Sequence, residues 1–146
     1  MNVSSLIFLT TVLPALPVFA WGALLLRRAR SSVDWPVVPA TIMESRVLQQ
    51  GGARSPRLTF SYRVETQGRV GHRLWVGPRS VAVTGGWADR VVARYPVGAR
   101  VRVAVDPRDP AYAVLEAGPR AMHWLPVAIA AVVLAAGLLV SVAVPA

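Results

Sequence analysis

Two long uncharged stretches at the ends of the chain flank a middle segment in which apolar and polar residues alternate. Residues 1–26 and 124–146 contain no Asp, Glu, Lys or Arg, and all 23 such residues lie between Arg27 and Arg120. Residues 6–26 and 124–144 are each long enough, at about 1.5 Å rise per residue, to cross a hydrocarbon core of about 30 Å. We therefore predict a transmembrane helix in residues 1–26, a soluble domain in residues 27–123 and a second transmembrane helix in residues 124–146.

A cleaved signal peptide is the alternative interpretation of the first apolar stretch. Signal peptides carry a positively charged start and a shorter apolar core. Here no side-chain charge precedes the core, and Arg27, Arg28 and Arg30 follow it directly. The pattern favours an uncleaved anchor.

The middle segment reads as a mainly-β domain. Leu58, Phe60, Tyr62 and Val64 alternate with charged or hydroxyl residues, which is the period-two pattern of a half-buried strand. Similar reasoning predicts strands over residues 40–48, 70–76, 101–105 and 112–115. It also predicts a flexible run over residues 49–56 and a turn over residues 66–69, in which Gly68 supplies a positive φ.

One short helix is predicted over about residues 86–95. Trp87, Val91 and Tyr95 recur at helical spacing, Thr84 could cap the helix and Pro96 would end it. Three strands, a helix and two strands form the order of an OB-like small barrel, in which closure removes exposed strand edges. The predicted fold class is thus a membrane protein with two transmembrane helices flanking a small, barrel-like, mainly-β (α+β) domain.

Flanking charge predicts the orientation of the helices. The formal net charge is +9, every basic residue is Arg, and Arg27, Arg28, Arg30 and Arg120 lie next to the inner ends of the two apolar stretches. The positive-inside rule then places both termini outside and the domain in the cytoplasm, although a domain longer than about 60 residues can be translocated whatever its charge.

The residues of an enzyme active site are not found in this pattern. The chain has no Cys, seven acidic residues, and two histidines, His72 and His123, that lie 51 positions apart. Paired carboxylates, an activated nucleophile, a metal-ligand cluster and a phosphate-binding Gly-rich motif are all missing. We therefore predict a non-enzymatic protein without catalytic, metal or cofactor sites.

The basic surface is the remaining functional candidate. The residues predicted to bind lipid headgroups or a partner are Arg57, Arg63, Arg73, Arg100 and Arg102. A solvated strand face is the plainer interpretation, and anionic headgroups near the membrane are the sharper one. Nucleic acid is disfavoured because Trp75 is the one aromatic residue that could stack on a base beside these arginines.

Two features leave alternatives open. Trp35 fits either a membrane interface or the core of the domain. In the second apolar stretch, Ala131 and Ala135, and Gly137 and Ser141, are spaced to form small-residue faces. Such faces serve either packing against the first helix or homo-oligomerisation.

The order of these residues resembles the bacterial membrane family called domain of unknown function 3592. The residues that carry the resemblance are Trp35, Pro39, Ala40, Thr41, Ile42, Tyr62, Arg94, Tyr95, Pro96, Val97, Gly98, Val101, Val103, Asp106, Pro107, Pro110, Ala113, Val114, Leu115 and Glu116. The resemblance implies a bacterial inner (plasma) membrane protein and no assigned reaction, ligand or catalytic residue.

The sequence thus predicts a membrane-tethered interaction module whose basic β domain binds a protein partner or the anionic membrane surface. An immunity or envelope-stress protein that acts through its helices against a membrane-active toxin is the alternative. Nothing in the composition or motifs identifies a partner for either function.

Overall fold

A computed structural model describes residues 3–79 and 81–143. The chain divides into two compact units, one of which holds the terminal helices up to Arg28 and from Pro119, and the other residues 29–118. Helix α1 spans Val3–Ser31, α2 spans Trp87–Arg94 and α3 spans Ala121–Ala143, with a 3-10 turn at Ser32–Asp34. Along the sequence, the folded domain therefore lies between two long helices.

The two terminal helices are apolar along most of their length. By length and composition alone, Val12–Asp34 and Ala121–Val140 could each cross a membrane, with mean hydropathies of 1.3 and 2.2. Helix α1 continues through Pro14 and Pro17. A Cβ atom added at Gly22 would lie 3.0 Å from the Cβ of Pro126, so the absence of a side chain lets α1 and α3 approach closely there.

The predicted small-residue faces of α3 do not behave as one surface. Gly137 is buried, whereas Ala131 and Ala135 are exposed, and the side chain of Ser141 lies outside the described residues. Gly22 is one position at which α1 and α3 approach closely, and the sequence pattern did not single it out.

Five strands form one antiparallel sheet in the domain. Their bounds are Val37–Gln50 for β1, Ala53–Val64 for β2, Gln67–Gly71 for β3, Arg100–Asp106 for β4 and Asp109–Val114 for β5. The spatial order is β3-β2-β1-β4-β5, so β1 is central and pairs with both β2 and β4. Three strands, a helix and two strands follow one another as the sequence predicts.

The sheet is not closed, and the predicted barrel is therefore not confirmed. The segment that follows the edge strand β3 forms an isolated parallel bridge with the other edge strand, β5, between Arg73 and Val114. There the amide of Leu115 donates to the carbonyl of Arg73 at 3.2 Å, and that of Glu116 to the carbonyl of Leu74 at 2.7 Å.

The predicted flexible run over residues 49–56 is wrong, because these residues complete a long hairpin. Leu48 pairs with Ser55 and Gln50 with Ala53, which leaves a two-residue turn at Gly51 and Gly52. Gly51 has φ of +60°, a conformation that glycine adopts without steric cost. Adjacent glycines are a standard solution for such a tight turn.

The second hairpin turns earlier than predicted. Its turn is Glu65–Thr66, with φ of +54° at Glu65, and Gly68 lies within β3 opposite Arg63. Strand β3 also ends at Gly71 instead of continuing to Val76. The next apolar residues, Leu74–Val76, are all buried, which a strand with one solvated face would not produce.

Helix α2 covers the inner face of the β1–β2 hairpin with its buried residues Ala88 and Val91. Its N-cap is Gly86 and no side chain caps it, so the predicted cap at Thr84 is wrong. Asp89 in the first turn instead accepts a bidentate pair from Arg54, at 2.6 and 2.8 Å.

The core of the domain lies on the inner face of the sheet. Its central buried residues are Ile42, Phe60, Tyr62, Val103 and Val105. Trp35 is 6% exposed and meets the ring of Tyr112 edge to face at 6.0 Å between centroids. Trp35 is therefore a core residue of the domain.

Candidate functional site

The outer face of the sheet carries most of the predicted arginines. Strand alternation turns Tyr62 and Val103 inward and leaves Arg57, Arg63, Arg100 and Arg102 exposed. Paired residues on antiparallel strands share a face, so Arg102 lies opposite Pro39, and Arg100 lies opposite Thr41.

An open groove, here called the arginine groove, crosses this face over β3, β2, β1 and β4. Its volume is about 560 Å³, and its outward-facing lining residues are Pro39, Thr41, Ser61, Arg63, Gly68, Val70 and Arg100. No Asp or Glu is among the described residues that line it. Gly68 has open space above it, so the floor of the groove is low at that edge.

Arg63 and Arg100 flank the central strand β1 on opposite sides. Neighbouring strands lie about 4.8 Å apart, and residues i and i+2 on one face of a strand lie about 6.7 Å apart. Arg63 and Arg100 are two strands and two residues apart, so their Cα atoms are about 12 Å from each other. Two extended guanidinium groups can therefore meet above Thr41, whose hydroxyl and that of its cross-strand neighbour Ser61 form the floor. Guanidinium forks and hydroxyl donors are groups that bind phosphate or carboxylate oxygens.

Two exposed arginines that line the groove, Arg63 and Arg100, and Arg102 opposite the lining residue Pro39, make no compensating contact among the described residues. Within residues 3–79 and 81–143, no hydrogen bond or ion pair involves the side chains of Arg63, Arg100 or Arg102. An exposed cation without a partner keeps its full capacity to bind an anion.

The other end of the outer face, near the β1–β2 turn, is organised around an acid. We call it the hairpin end and define it by Glu44, Arg46, Arg57 and Thr59. Arg46 and Arg57 lie directly opposite each other. Glu44 is 2.6 Å from Arg46 and 3.8 Å from Arg57, and it accepts a hydrogen bond from Thr59 at 3.1 Å. Arg57 is thus exposed as predicted, but its charge is partly compensated.

A β-bulge brings Glu44 to this position. The register of β1 against β2 shifts between Ile42 and Glu44, so that Met43 and Glu44 both leave the inner face. A bulge of this kind re-aims the side chains that follow it.

Arg73 lies elsewhere than on the outer strand face. It is half-buried, with its guanidinium 4.5 Å from the centroid of the Tyr112 ring, and it donates to the carbonyl of Gly77. These contacts fix the segment that leaves β3. Trp75, the predicted stacking residue, is only 8% exposed and packs on Trp87 at 5.4 Å between centroids.

Glu116, two residues after the end of β5, pairs with another arginine. It accepts hydrogen bonds from Arg94 at 3.0 Å and from the hydroxyl of Tyr95 at 2.8 Å. Burial, followed by the hydrogen bond to Glu116, raises the pKa of Tyr95 to about 12. Burial also raises the pKa of Tyr62, whose hydroxyl donates to the carbonyl of Pro110 at 2.8 Å.

The two histidines have separate local roles. His72 is exposed, with Nδ1 3.2 Å from Oγ1 of Thr59. His123 is fully buried, and its Nδ1 accepts a hydrogen bond from the amide of Arg120 at 2.7 Å. Among the described residues, no group of three His, Asp or Glu side chains could hold a metal ion.

Sequence reasoning found the four outward arginines but missed the groove that two of them frame. Thr41 and Ser61 form its floor, and their signal was the same alternation that turns Ala40 and Tyr62 inward. The compensating role of Glu44 had no local signal, because it depends on the bulge and on pairing with β2.

Comparison with known proteins supports the family assignment. No curated protein and no solved structure matches the chain significantly. A family model described as Domain of unknown function (DUF3592) matches residues 38–120, which is more than half of the chain and includes all five strands except the first residue of β1. The protein therefore belongs to the family known as Domain of unknown function 3592.

Proposed function

We propose that this protein is a non-enzymatic, membrane-tethered interaction module whose arginine groove binds the anionic surface of the bacterial inner membrane. One observation carries the proposal: the groove presents Arg63 and Arg100 over two hydroxyl groups, and no Asp or Glu is among the described residues that line it. The groove would engage phosphodiester headgroups through the guanidinium forks.

The energetics favour a reversible contact. Each arginine held close to an anionic leaflet contributes about 1 kcal/mol, so Arg63, Arg100 and Arg102 together supply about 3 kcal/mol. That contribution is weak for a free protein but sufficient for one that is already tethered, because tethering raises the effective concentration of the surface. Salt screens exposed charges and should therefore release the domain.

Helices α1 and α3 would supply the tether. Their length and composition are sufficient for crossing, and the arginines next to them favour a cytoplasmic domain with both termini outside. We further propose that the domain is barrel-like, with OB-like strand order, and that the bridge between Arg73 and Val114 marks the seam between its edge strands.

A single-cysteine label tests the lipid contact, because the chain has no native cysteine. Thr66→Cys, in the exposed β2–β3 turn beside Arg63, carries a fluorophore in full-length protein reconstituted into nanodiscs with headgroup quenchers. Gly52→Cys, at the far tip of the β1–β2 hairpin, is the matched control label, since a side chain there meets open space.

We expect phosphatidylglycerol to increase quenching at Thr66→Cys more than at Gly52→Cys, and high salt to reverse the increase. Quenching that is the same in neutral and anionic nanodiscs would contradict the lipid proposal. An acidic protein would then be the better candidate for the groove.

A further inference from the structure

A second concave region lies where the chain leaves β3. It consists of three cavities, each of which is lined by both His72 and Arg79. The main cavity there has a volume of about 230 Å³ and is lined by Leu48, Pro56, Arg57, Leu58, His72 and Arg79. A cavity of about 180 Å³ and a crevice of about 10 Å³ also border His72 and Arg79. Trp75 and Trp87 line the crevice.

One wall of the 230 Å³ cavity is apolar. Leu58 is 3% exposed, Pro56 is buried and Leu48 is half-buried, so their surfaces are held in place by the hairpin and its core. An apolar cavity of about 150 Å³ is large enough for benzene. The space therefore accommodates one aromatic ring or a short aliphatic chain.

The opposite wall is cationic. Arg57 and Arg79 are exposed, and the side chain of Arg79 makes no hydrogen bond or ion pair within residues 3–79 and 81–143. The nearest contact of Arg57 with an acid is the 3.8 Å distance to Glu44. No acidic side chain is among the described residues that line this cavity.

Hydrogen bonding fixes the imidazole of His72. Thr59 has one hydroxyl proton, which it donates to Glu44 at 3.1 Å. The 3.2 Å contact between Thr59 Oγ1 and His72 Nδ1 then requires Nδ1–H as the donor. Nε2 remains as the second polar atom of the ring, and in the imidazolium form it donates to an anion.

We propose that this cavity is a binding site for a small organic anion, with an apolar body against Leu48, Pro56 and Leu58 and a single phosphate or carboxylate held by His72 and Arg79. The site is distinct from the arginine groove and does not depend on the membrane contact proposed above. It assigns a soluble-ligand function to a part of the domain that the groove does not use.

Calorimetric titration of the full chain in neutral-lipid nanodiscs tests the site with three probes. We expect at least one of the two aryl anions, phenyl phosphate or benzoate, to bind saturably. Inorganic phosphate should bind at least about tenfold more weakly because it has no apolar body. At a pH at which the imidazole is protonated, His72→Ala and Arg79→Ala should each weaken aryl-anion binding about tenfold, since each then removes a charge-assisted donor.

Controls make the test decisive. Arg108→Ala removes an exposed arginine from the β4–β5 turn and should leave the affinity unchanged. Leu48→Ala should weaken phenyl phosphate but not inorganic phosphate. The proposal is overturned if neither aryl anion binds saturably, if the double variant His72→Ala/Arg79→Ala binds as tightly as the native chain, or if inorganic phosphate binds as tightly as phenyl phosphate. None of these results depends on the lipid response at Thr66→Cys, so this proposal and the proposed function can fail separately.

Discussion

The two ends of the outer sheet face carry similar numbers of arginines but present them differently. At the hairpin end, Glu44 lies between Arg46 and Arg57, so its carboxylate partly compensates both positive charges. In the arginine groove, Arg63 and Arg100 flank β1 near the hydroxyl groups of Thr41 and Ser61, and no acidic residue is among the described residues that line the groove. The difference shows that the positions of the few acidic residues, more than the number of arginines, determine where uncompensated positive charge is exposed.

Other arginines support the same distinction. Arg54 is bidentate with Asp89, and Arg94 pairs with Glu116. The first pair connects α2 to β2, and the second connects the C-terminal end of α2 to the segment that follows β5, so both arginines already have an acidic partner within the domain. A net charge of +9 thus overstates the binding surface, because several of its charges are committed to the fold.

An acid placed in the groove should make it resemble the hairpin end. Thr41→Glu puts a carboxylate opposite Arg100 and diagonal to Arg63, where it would compensate both. Loss of two arginine contributions of about 1 kcal/mol each predicts about 30-fold weaker association with anionic lipid. Lipid-dependent quenching of the Thr66→Cys label measures the change.

Thr41→Gln is the matched control for Thr41→Glu, because the glutamine side chain has nearly the same shape as that of glutamate but carries no charge. It should retain the response. Equal losses in both variants would show that bulk at position 41, and not charge, closes the groove.

The reverse change should activate the hairpin end. Glu44→Gln frees Arg46 and Arg57 and adds one unit of positive charge to that end. About 1 kcal/mol then predicts roughly fivefold stronger association with anionic lipid, measured by quenching of the Gly52→Cys label. An unchanged response would mean that the bulged strand end does not reach the lipid surface.

Weakening the ion pair between Arg94 and Glu116 should change the stability of the domain without changing lipid binding. Tyr95→Phe removes the hydroxyl that holds Glu116 against Arg94, and it should lower the free energy of unfolding by about 1 kcal/mol at neutral pH. Lipid association should not change. Denaturant unfolding in detergent and the Thr66→Cys label measure the two quantities separately.

The pH dependence of the same variant provides a further check. The pKa of Tyr95 is raised from 10.0 to about 12 in the folded protein, so the unfolded chain loses this proton first as the pH rises. The native chain should therefore lose stability between about pH 10 and 12. Tyr95→Phe should lose less over this range, and an identical decline in both proteins would contradict the role of Tyr95.

Local patterns predicted the strands best where one face is buried. The alternation from Leu58 to Val64 marks β2 correctly, because every second residue contributes to the core. The paired tip of the same hairpin was interpreted as a loop, since Gln49, Gln50 and Gly51 give no apolar signal and are held by pairing alone.

The site required tertiary information. Strand β3 ends at Gly71, where a Cβ atom would lie 2.3 Å from the buried ring of Phe60, so the position requires glycine for a contact that no local pattern reveals. That ending directs Arg73 toward Tyr112 and leaves the outer face to the other arginines. The bulge at Met43 likewise decides where Glu44 points, and one residue of register changes the face of every side chain that follows.

The most direct test compares matched double variants of the two ends in one assay. Full-length protein labelled at Thr66→Cys is reconstituted into phosphatidylglycerol nanodiscs as Arg63→Gln/Arg100→Gln and as Arg46→Gln/Arg57→Gln, which carry the same net charge. We predict that the groove variant loses the lipid-dependent quenching and that the hairpin variant keeps it. Equal losses in the two variants, or no loss in either, would contradict the claim that the uncompensated groove is the binding surface.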